Sequence, residues 1–147
     1  MATTQLKIAI ELLDQAIRLY YDGGVDFATL HLAGAAEELL GRQLERIGQT
    51  TAFTSLRDAA VQISAYLDDE GPVTQRQVAD AMNYARNHTK HGLDGASPSA
   101  NFDARAEAED MIDRALTNFY ALANRVPLSE TERIRRFNAD IVRRTES

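Results

Sequence analysis

The densest group of side chains able to do chemistry lies at residues 86–91, which read RNHTKH. A helix turns by about 100° per residue, so Arg86, Asn87, Lys90 and His91 share one arc of a helix through this stretch. The opposite arc carries the less polar side chains Val78, Met82, Ala85 and Thr89. The pattern therefore predicts a helix that buries one side and presents this polar arc on the other.

Two cations on this arc, Arg86 and Lys90, stand four residues apart, where like charges on a helix repel each other. An anion bound between them would offset that repulsion, which favours an anion-binding site. A helix C-terminus also attracts cations by a few tenths of a kcal/mol. A simple response of Lys90 and His91 to the helix dipole is therefore an open alternative.

Composition removes several other kinds of site. The chain has no cysteine, which excludes thiol catalysis, zinc–thiolate centres and disulfides. It has no phosphate-binding loop, nucleophile elbow or dinucleotide fingerprint. His88 and His91 have the i, i+3 spacing of metal ligands, but no second ligand group accompanies them. We expect no metal or cofactor. His31 is expected to be a hydrogen-bonded or half-exposed histidine without a catalytic role. We expect solvated helix faces for the acidic residues Glu37, Glu38, Glu107, Glu109, Asp110 and Asp113.

Charge is unevenly distributed along the 147 residues, whose net charge is −6. Segment 74–92 holds three cations and one acid, whereas segment 103–114 holds five acids and two arginines. A net negative chain argues against broad wrapping of nucleic acid but permits one local basic site. The N-terminus lacks the pattern of a signal peptide, and no apolar stretch approaches the roughly 20 residues of a membrane span. We expect a cytoplasmic protein with no membrane partner.

Apolar residues recur with helical spacing throughout, and no pair of strands with a hairpin turn is indicated. The sequence predicts an all-α bundle of five helices over residues 1–125 and a short amphipathic tail helix within 126–147. Asp26 is the expected cap of the second helix, and Asn101 or Asp103 is expected to begin the fifth. Capping boxes are expected at Thr74 with Gln77 for the fourth helix and at Ser129 with Glu132 for the tail helix. The predicted helices are about 4–21, 26–48, 54–67, 74–91, 101–124 and, for the tail, a segment starting near 129 with the stripe Ile134, Phe137 and Ile141.

Two features of the first helices predict close packing. Gly34 lies in the middle of the second helix, where glycine costs about 1 kcal/mol relative to alanine, so we expect another element to approach closely there. Both helices also carry a second apolar edge, formed by Ile8, Leu12, Leu19, Leu32, Ala36 and Leu39. This edge predicts either a central position in the bundle or a homodimer.

The pattern Arg86-Asn87-x-x-x-His91 resembles the R-polar-x3-H motif of HEPN domains, which are small helical bundles. The similarity extends to residues 16–44, which resemble the first helical hairpin of a bacterial HEPN-like group. Residues 84–92 (YARNHTKHG) and 110–124 (DMIDRALTNFYALAN) resemble that group's second half. The resemblance thus covers most of the first 125 residues and implies a HEPN-type fold.

Many HEPN domains are metal-independent endoribonucleases of toxin or defence systems, in which two copies line one cleft. The resemblance implies that His91 is a general acid or base in attack of a ribose 2′-OH on the adjacent phosphate. It implies that Arg86 binds that phosphate and that Asn87 orients His91 or the phosphate. We assign Lys90, which lies outside the minimal motif, to phosphate and RNA binding.

The same resemblance leaves a second class of function open. Other HEPN domains serve as dimerisation, scaffold or nucleotide-binding modules without cleaving RNA. The expected partners are a second copy of the chain, RNA if the site is catalytic, and an antitoxin or nucleotidyltransferase if the protein is a toxin.

Overall fold

Six α-helices form the described part of the chain, and the expected all-α fold is confirmed there. The computed structural model describes residues 3–67, 73–91 and 102–147. Over these ranges it contains no strand, and none of its helices is long and apolar enough to cross a membrane. The helices are α1 (Gln5–Asp22), α2 (Asp26–Arg46), α3 (Ala52–Leu67), α4 (Gln75–His91), α5 (Ala104–Ala123) and α6 (Glu132–Thr145).

Side-chain caps mark the starts of α1, α4 and α5. Thr4 accepts a hydrogen bond from the Lys7 amide at 3.1 Å, which satisfies one of the unpaired amides at the start of α1. Thr74 and Gln77 form the predicted capping box, with the Thr74 amide donating to Gln77 Oε1 at 2.8 Å and the Gln77 amide donating to Thr74 Oγ1 at 3.1 Å. Asp103 caps α5. These local contacts fix where α4 and α5 begin.

The prediction that Asp26 caps α2 is wrong. Val25 occupies the cap position and makes no side-chain hydrogen bond, while Asp26 is the first residue inside the helix. Its carboxylate lies 3.5 Å from an Arg105 guanidinium nitrogen instead. An acid in the first turn still interacts favourably with the helix dipole, so the residue favours the same helix start by a different contact.

The core lies where α1, α2 and α5 meet. Their fully buried side chains are Ala9, Leu13, Ala16, Ile17, Leu30, Ala33, Ala36, Leu40, Leu44, Ala108, Ile112 and Ala115. On the second apolar edge, Leu12, Leu32 and Leu39 are partly buried against this core, whereas Ile8 is 40% exposed. The expected close approach at Gly34 is also present, as described below.

The helix predicted at α3 is present, but its apolar stripe is only partly covered. Leu56 is 50% exposed and Ile63 is 56% exposed, although their helical spacing places them on one apolar stripe. Ala60 between them is half-buried. The helical period is therefore correct, while the packing of α3 leaves apolar surface uncovered.

The cap of the tail helix α6 lies two residues after the predicted one. Thr131, and not Ser129, precedes the helix and accepts a hydrogen bond from the Ile134 amide at 3.1 Å. Ser129 and Thr131 both have a hydroxyl group that can cap the helix, and Thr131, which directly precedes Glu132, is the cap. The Ser129–Glu132 capping box is thus a wrong prediction.

The apolar stripe of α6 packs on the bundle of its own chain. Ile134 and Phe137 are buried in the core, and Ile141 is partly buried against it. The Phe137 ring contacts Tyr20 and Tyr21 edge-on, with centroids 5.4 and 6.1 Å apart. The Tyr21 hydroxyl donates to Asp140; burial, and then this carboxylate, raise the pKa of Tyr21 to about 12. The tail thus adds a sixth helix to the same core.

Candidate functional site

Arg86 lies in the penultimate turn of α4 and crosses α2 directly over Gly34. A Cβ atom added to Gly34 would lie 2.7 Å from Arg86 Cδ and 3.0 Å from its Cγ. Such distances are shorter than van der Waals contact. Glycine is therefore needed at residue 34 because the Arg86 stem occupies the space that a Cβ atom would fill. This contact explains why glycine lies in the middle of a helix despite its low helix propensity.

The Arg86 guanidinium is bound to a buried carboxylate. Its Nη1 donates to Glu37 Oε2 at 3.1 Å, and Arg114 Nη2 donates to Glu37 Oε1 at 2.9 Å. The exposed fractions of these side chains are 20% for Arg86, 5% for Glu37 and 9% for Arg114. This triad of two arginines and one glutamate joins α4, α2 and α5 and carries one net positive charge.

Glu37 was expected on a solvated face, and that prediction is wrong. It lies within the buried stripe of α2, four residues after Ala33 and three before Leu40. Arg114 similarly lies within the buried face of α5, between Met111 and Ala115. A charged residue inside an apolar stripe needs an opposite charge, so the sequence pattern indicates that Glu37 and Arg114 each have a buried partner, without identifying it.

Asn118 is a second buried polar residue that the sequence analysis missed. Its Oδ1 accepts a hydrogen bond from the Ala52 amide at 2.8 Å, at the start of α3. Its Nδ2 donates to the Glu37 backbone carbonyl at 3.1 Å. One fully buried amide thereby ties the start of α3 to the turn of α2 that carries Glu37, and so helps to hold that carboxylate in place.

A polar cleft of about 230 Å³ opens beside the triad, between α2, α4 and the start of α3. Its charged and amide side chains are two arginines, three acids and one asparagine: Arg42, Arg86, Glu37, Glu38, Glu45 and Asn83. Arg42 is neutralised by Glu38 at 2.7 Å. Within the described structure, Arg86 uses only Nη1 for hydrogen bonding, so Nε and Nη2 form a second donor edge that can receive an oxyanion.

The other members of the predicted site are only partly placed. Asn87 follows Arg86 in α4, is half-buried and makes no side-chain hydrogen bond to another described residue. The backbones of Lys90 and His91 belong to the last turn of α4, but their side chains lie outside the described residues. The structure therefore brings Arg86 to the cleft, and the roles of Asn87, Lys90 and His91 stay predictions.

The side chains of His88 and His91, the pair with the spacing of metal ligands, lie outside the described residues. Among the residues that the structure describes, no three histidine, aspartate or glutamate side chains are grouped to hold a metal. His31 is exposed on α2. Glu109 accepts hydrogen bonds from Tyr20 at 2.7 Å and from Arg144, so it links α1, α5 and α6 and is less solvated than expected.

No known protein family, curated protein or solved structure matches this chain. The likeness of residues 86–91 to the HEPN motif is thus a similarity of pattern, and the fold that can be stated is an all-α bundle.

Proposed function

We propose that the chain is a metal-independent endoribonuclease of HEPN type that binds the scissile phosphate through Arg86. The observation that carries the proposal is the two-edged guanidinium in the polar cleft. Glu37 holds one nitrogen of Arg86, and the edge formed by Nε and Nη2 has no partner in the described structure. A guanidinium held in this way can bind two oxygens of a phosphate and stabilise charge that develops there.

The charge of the triad favours an anion. Two guanidiniums and one carboxylate leave a net charge of +1, and burial reduces the screening of that charge by salt. In our proposal Lys90 adds a second phosphate contact one turn further along α4. His91 then acts as general acid or base, because an imidazole titrates near neutral pH.

The proposed reaction is attack of the ribose 2′-OH on the adjacent phosphate, with Asn87 orienting His91 or the phosphate. The 2′-oxygen forms a bond to phosphorus, and the bond to the 5′-oxygen of the next nucleotide breaks. The products are a 2′,3′-cyclic phosphate and a 5′-hydroxyl, with one proton removed from the nucleophile and one delivered to the leaving group.

A second copy of the chain completes the proposed site. Two motifs facing one cleft would supply two histidines for the two proton transfers. The partly exposed edge of Ile8, Leu12, Leu32 and Leu39 offers apolar surface for such a dimer. In a toxin or defence system, an antitoxin or nucleotidyltransferase encoded nearby would control the activity.

Cleavage of varied single-stranded RNAs tests the proposal. We expect Arg86→Ala and His91→Ala each to reduce the rate by at least about 10²-fold, as for the loss of an oxyanion donor or a general acid–base. Activity should survive EDTA, and the 5′ fragment should end in a 2′,3′-cyclic phosphate. Lys90→Ala should weaken RNA binding and reduce its salt dependence by about one phosphate contact.

Arg135→Ala is the matched control, since it removes an exposed arginine on α6 that pairs with Glu130. Its cleavage rate should equal that of the wild type. Light scattering should give about twice the chain mass of 16.3 kDa. A monomer, or cleavage that persists in Arg86→Ala, would contradict the proposal.

The triad itself favours a second candidate, a non-catalytic interaction module. Arg86 joins α4 to α2 through a buried carboxylate, a contact that a purely structural role explains. In that case wild-type protein cleaves none of the RNAs, while Arg86→Ala dissociates the dimer. The triad would then stabilise the fold without taking part in a reaction.

A further inference from the structure

A second groove lies on the side of the bundle where α3, α4 and α5 meet. It has a volume of about 460 Å³, within the range of about 300–1,000 Å³ that ligand sites occupy. Leu56 on its edge is 50% exposed, and this exposure is the uncovered part of the α3 stripe. The apolar residues that line the groove are Leu56, Ala60, Ala81, Met82 and Met111.

Three carboxylates follow one another along the α5 side of this groove. Glu107, Asp110 and Asp113 are spaced three residues apart, so they span about 9 Å at a rise of 1.5 Å per residue. The pKa of each carboxyl is raised, first by partial burial and then by repulsion from neighbouring acids. Ionisation of the three carboxyls therefore lowers the stability of the folded chain.

Within the described part of the chain, no cation is bound to these three acids. No described lysine or arginine forms an ion pair with any of the three. Arg114 lies close enough to attract Glu107 and Asp110, but its guanidinium is bound to Glu37 at 2.9 Å. Segments 68–72 (DDEGP) and 92–101 (GLDGASPSAN) contain no lysine or arginine.

We propose that this groove binds a basic amphipathic helix of a partner protein. A helix laid in a groove between helices presents apolar anchors at i, i+3, i+4 and i+7 to the floor. Basic residues beside those anchors have the spacing needed to meet Glu107, Asp110 and Asp113 along α5. The occupant thus covers the exposed Leu56 and neutralises the three carboxylates, and it does so on a different surface from the cleft of Arg86.

Fluorescence anisotropy with the full chain and a labelled peptide tests this proposal. The probe is a helical peptide of about four turns, with leucines on one stripe and arginines on the flanking positions. We expect a Kd of about 10 μM or tighter at low salt. Binding should weaken strongly at about 1 M salt, where the Debye length is about 3 Å. A peptide with glutamate in place of every arginine should not bind.

Variants of the groove separate its two kinds of contact. Asp110→Asn and Asp113→Asn should each weaken binding about threefold, as for partly exposed ion pairs. Leu56→Asp should weaken it at least about tenfold by placing a charge on the apolar floor. The matched controls are Glu11→Gln and Val142→Asp, which change an exposed acid on α1 and a 44% exposed valine on α6. Both controls should bind like the wild type.

Three results would overturn the proposal. The first is no binding of the arginine peptide, and the second is equal binding by the groove variants and the controls. The third is full competition by spermine with no effect of Leu56→Asp, which would identify a site for small polycations in place of a helix.

Discussion

Replacing Gly34 by alanine tests the packing of Arg86, because the contact should reverse the usual effect of this substitution on stability. In an ordinary helix interior this substitution stabilises by about 1 kcal/mol. Here the added Cβ would lie 2.7 Å from Arg86 Cδ, whereas carbon atoms pack at about 3.5 Å or more. The Arg86 stem must therefore move by about 0.8 Å, which is enough to break its 3.1 Å hydrogen bond to Glu37.

The expected cost follows from what Glu37 retains. Its bond to Arg114 at 2.9 Å remains, so the loss is one charge-assisted hydrogen bond, worth about 1.5–3 kcal/mol. After subtraction of the gain in helix propensity, Gly34→Ala should destabilise the protein by about 0.5–2 kcal/mol. In an Arg86→Ala background nothing opposes the new methyl group, and the same substitution should stabilise by about 1 kcal/mol.

Urea denaturation followed by circular dichroism measures both differences, at one protein concentration because a dimer would make stability depend on it. If Gly34→Ala changes the free energy of unfolding with the same sign and size in both backgrounds, Arg86 is not the cause of the effect. Equal destabilisation would mean that the backbone, and not Arg86, requires glycine. Equal stabilisation would mean that Arg86 moves aside at no cost.

Two further changes have magnitudes set by the structure. Phe137→Ala should destabilise by about 3–5 kcal/mol, because this ring is 2% exposed; thermal melts should show a large loss, and Val142→Ala on the same helix should stay within about 0.5 kcal/mol of wild type. For Asp110 and Asp113 the folded-state pKa is raised, so their ionisation lowers stability as pH rises from about 3.9, the unfolded value. Asp110→Asn with Asp113→Asn should therefore raise the melting temperature by about 1–2 °C at pH 7, and this gain should vanish below about pH 3.9; a loss of stability at pH 7 would contradict the inferred repulsion.

Local signals in the sequence predict the helices because helix formation depends on neighbouring residues. Thr74 and Gln77 are three residues apart and cap α4 as their spacing indicates. The end of α2 before Gly48 follows likewise, since that glycine adopts a φ of +74°, a conformation that other residues rarely adopt. Ser129 and Thr131 can both cap a helix, and the local sequence pattern does not predict which of them does.

The triad could be predicted only in part because it joins distant residues. Glu37 is separated from Arg86 by 49 positions and from Arg114 by 77. The apolar period shows that Glu37 and Arg114 face inward, but nothing local shows that they face each other. The helical wheel placed Arg86 on the polar arc of α4, but this side chain packs against α2 at Gly34 and is only 20% exposed. Consequently Arg86→Ala should cost stability, contrary to what the polar arc alone predicts.

The catalytic and structural roles proposed for Arg86 are compatible because a guanidinium has two donor edges. Glu37 takes a single nitrogen, Nη1, so a phosphate that binds Nε and Nη2 does not displace the carboxylate. Arg114 shares the charge of Glu37, which leaves the positive charge of Arg86 largely available to the phosphate. A lysine carries its charge on a single ammonium group and lacks two separate donor edges for the Glu37 carboxylate and the phosphate. A change of Arg86 to lysine should therefore retain most of the stability but not the phosphate contact, which is how the two roles can be separated at one position.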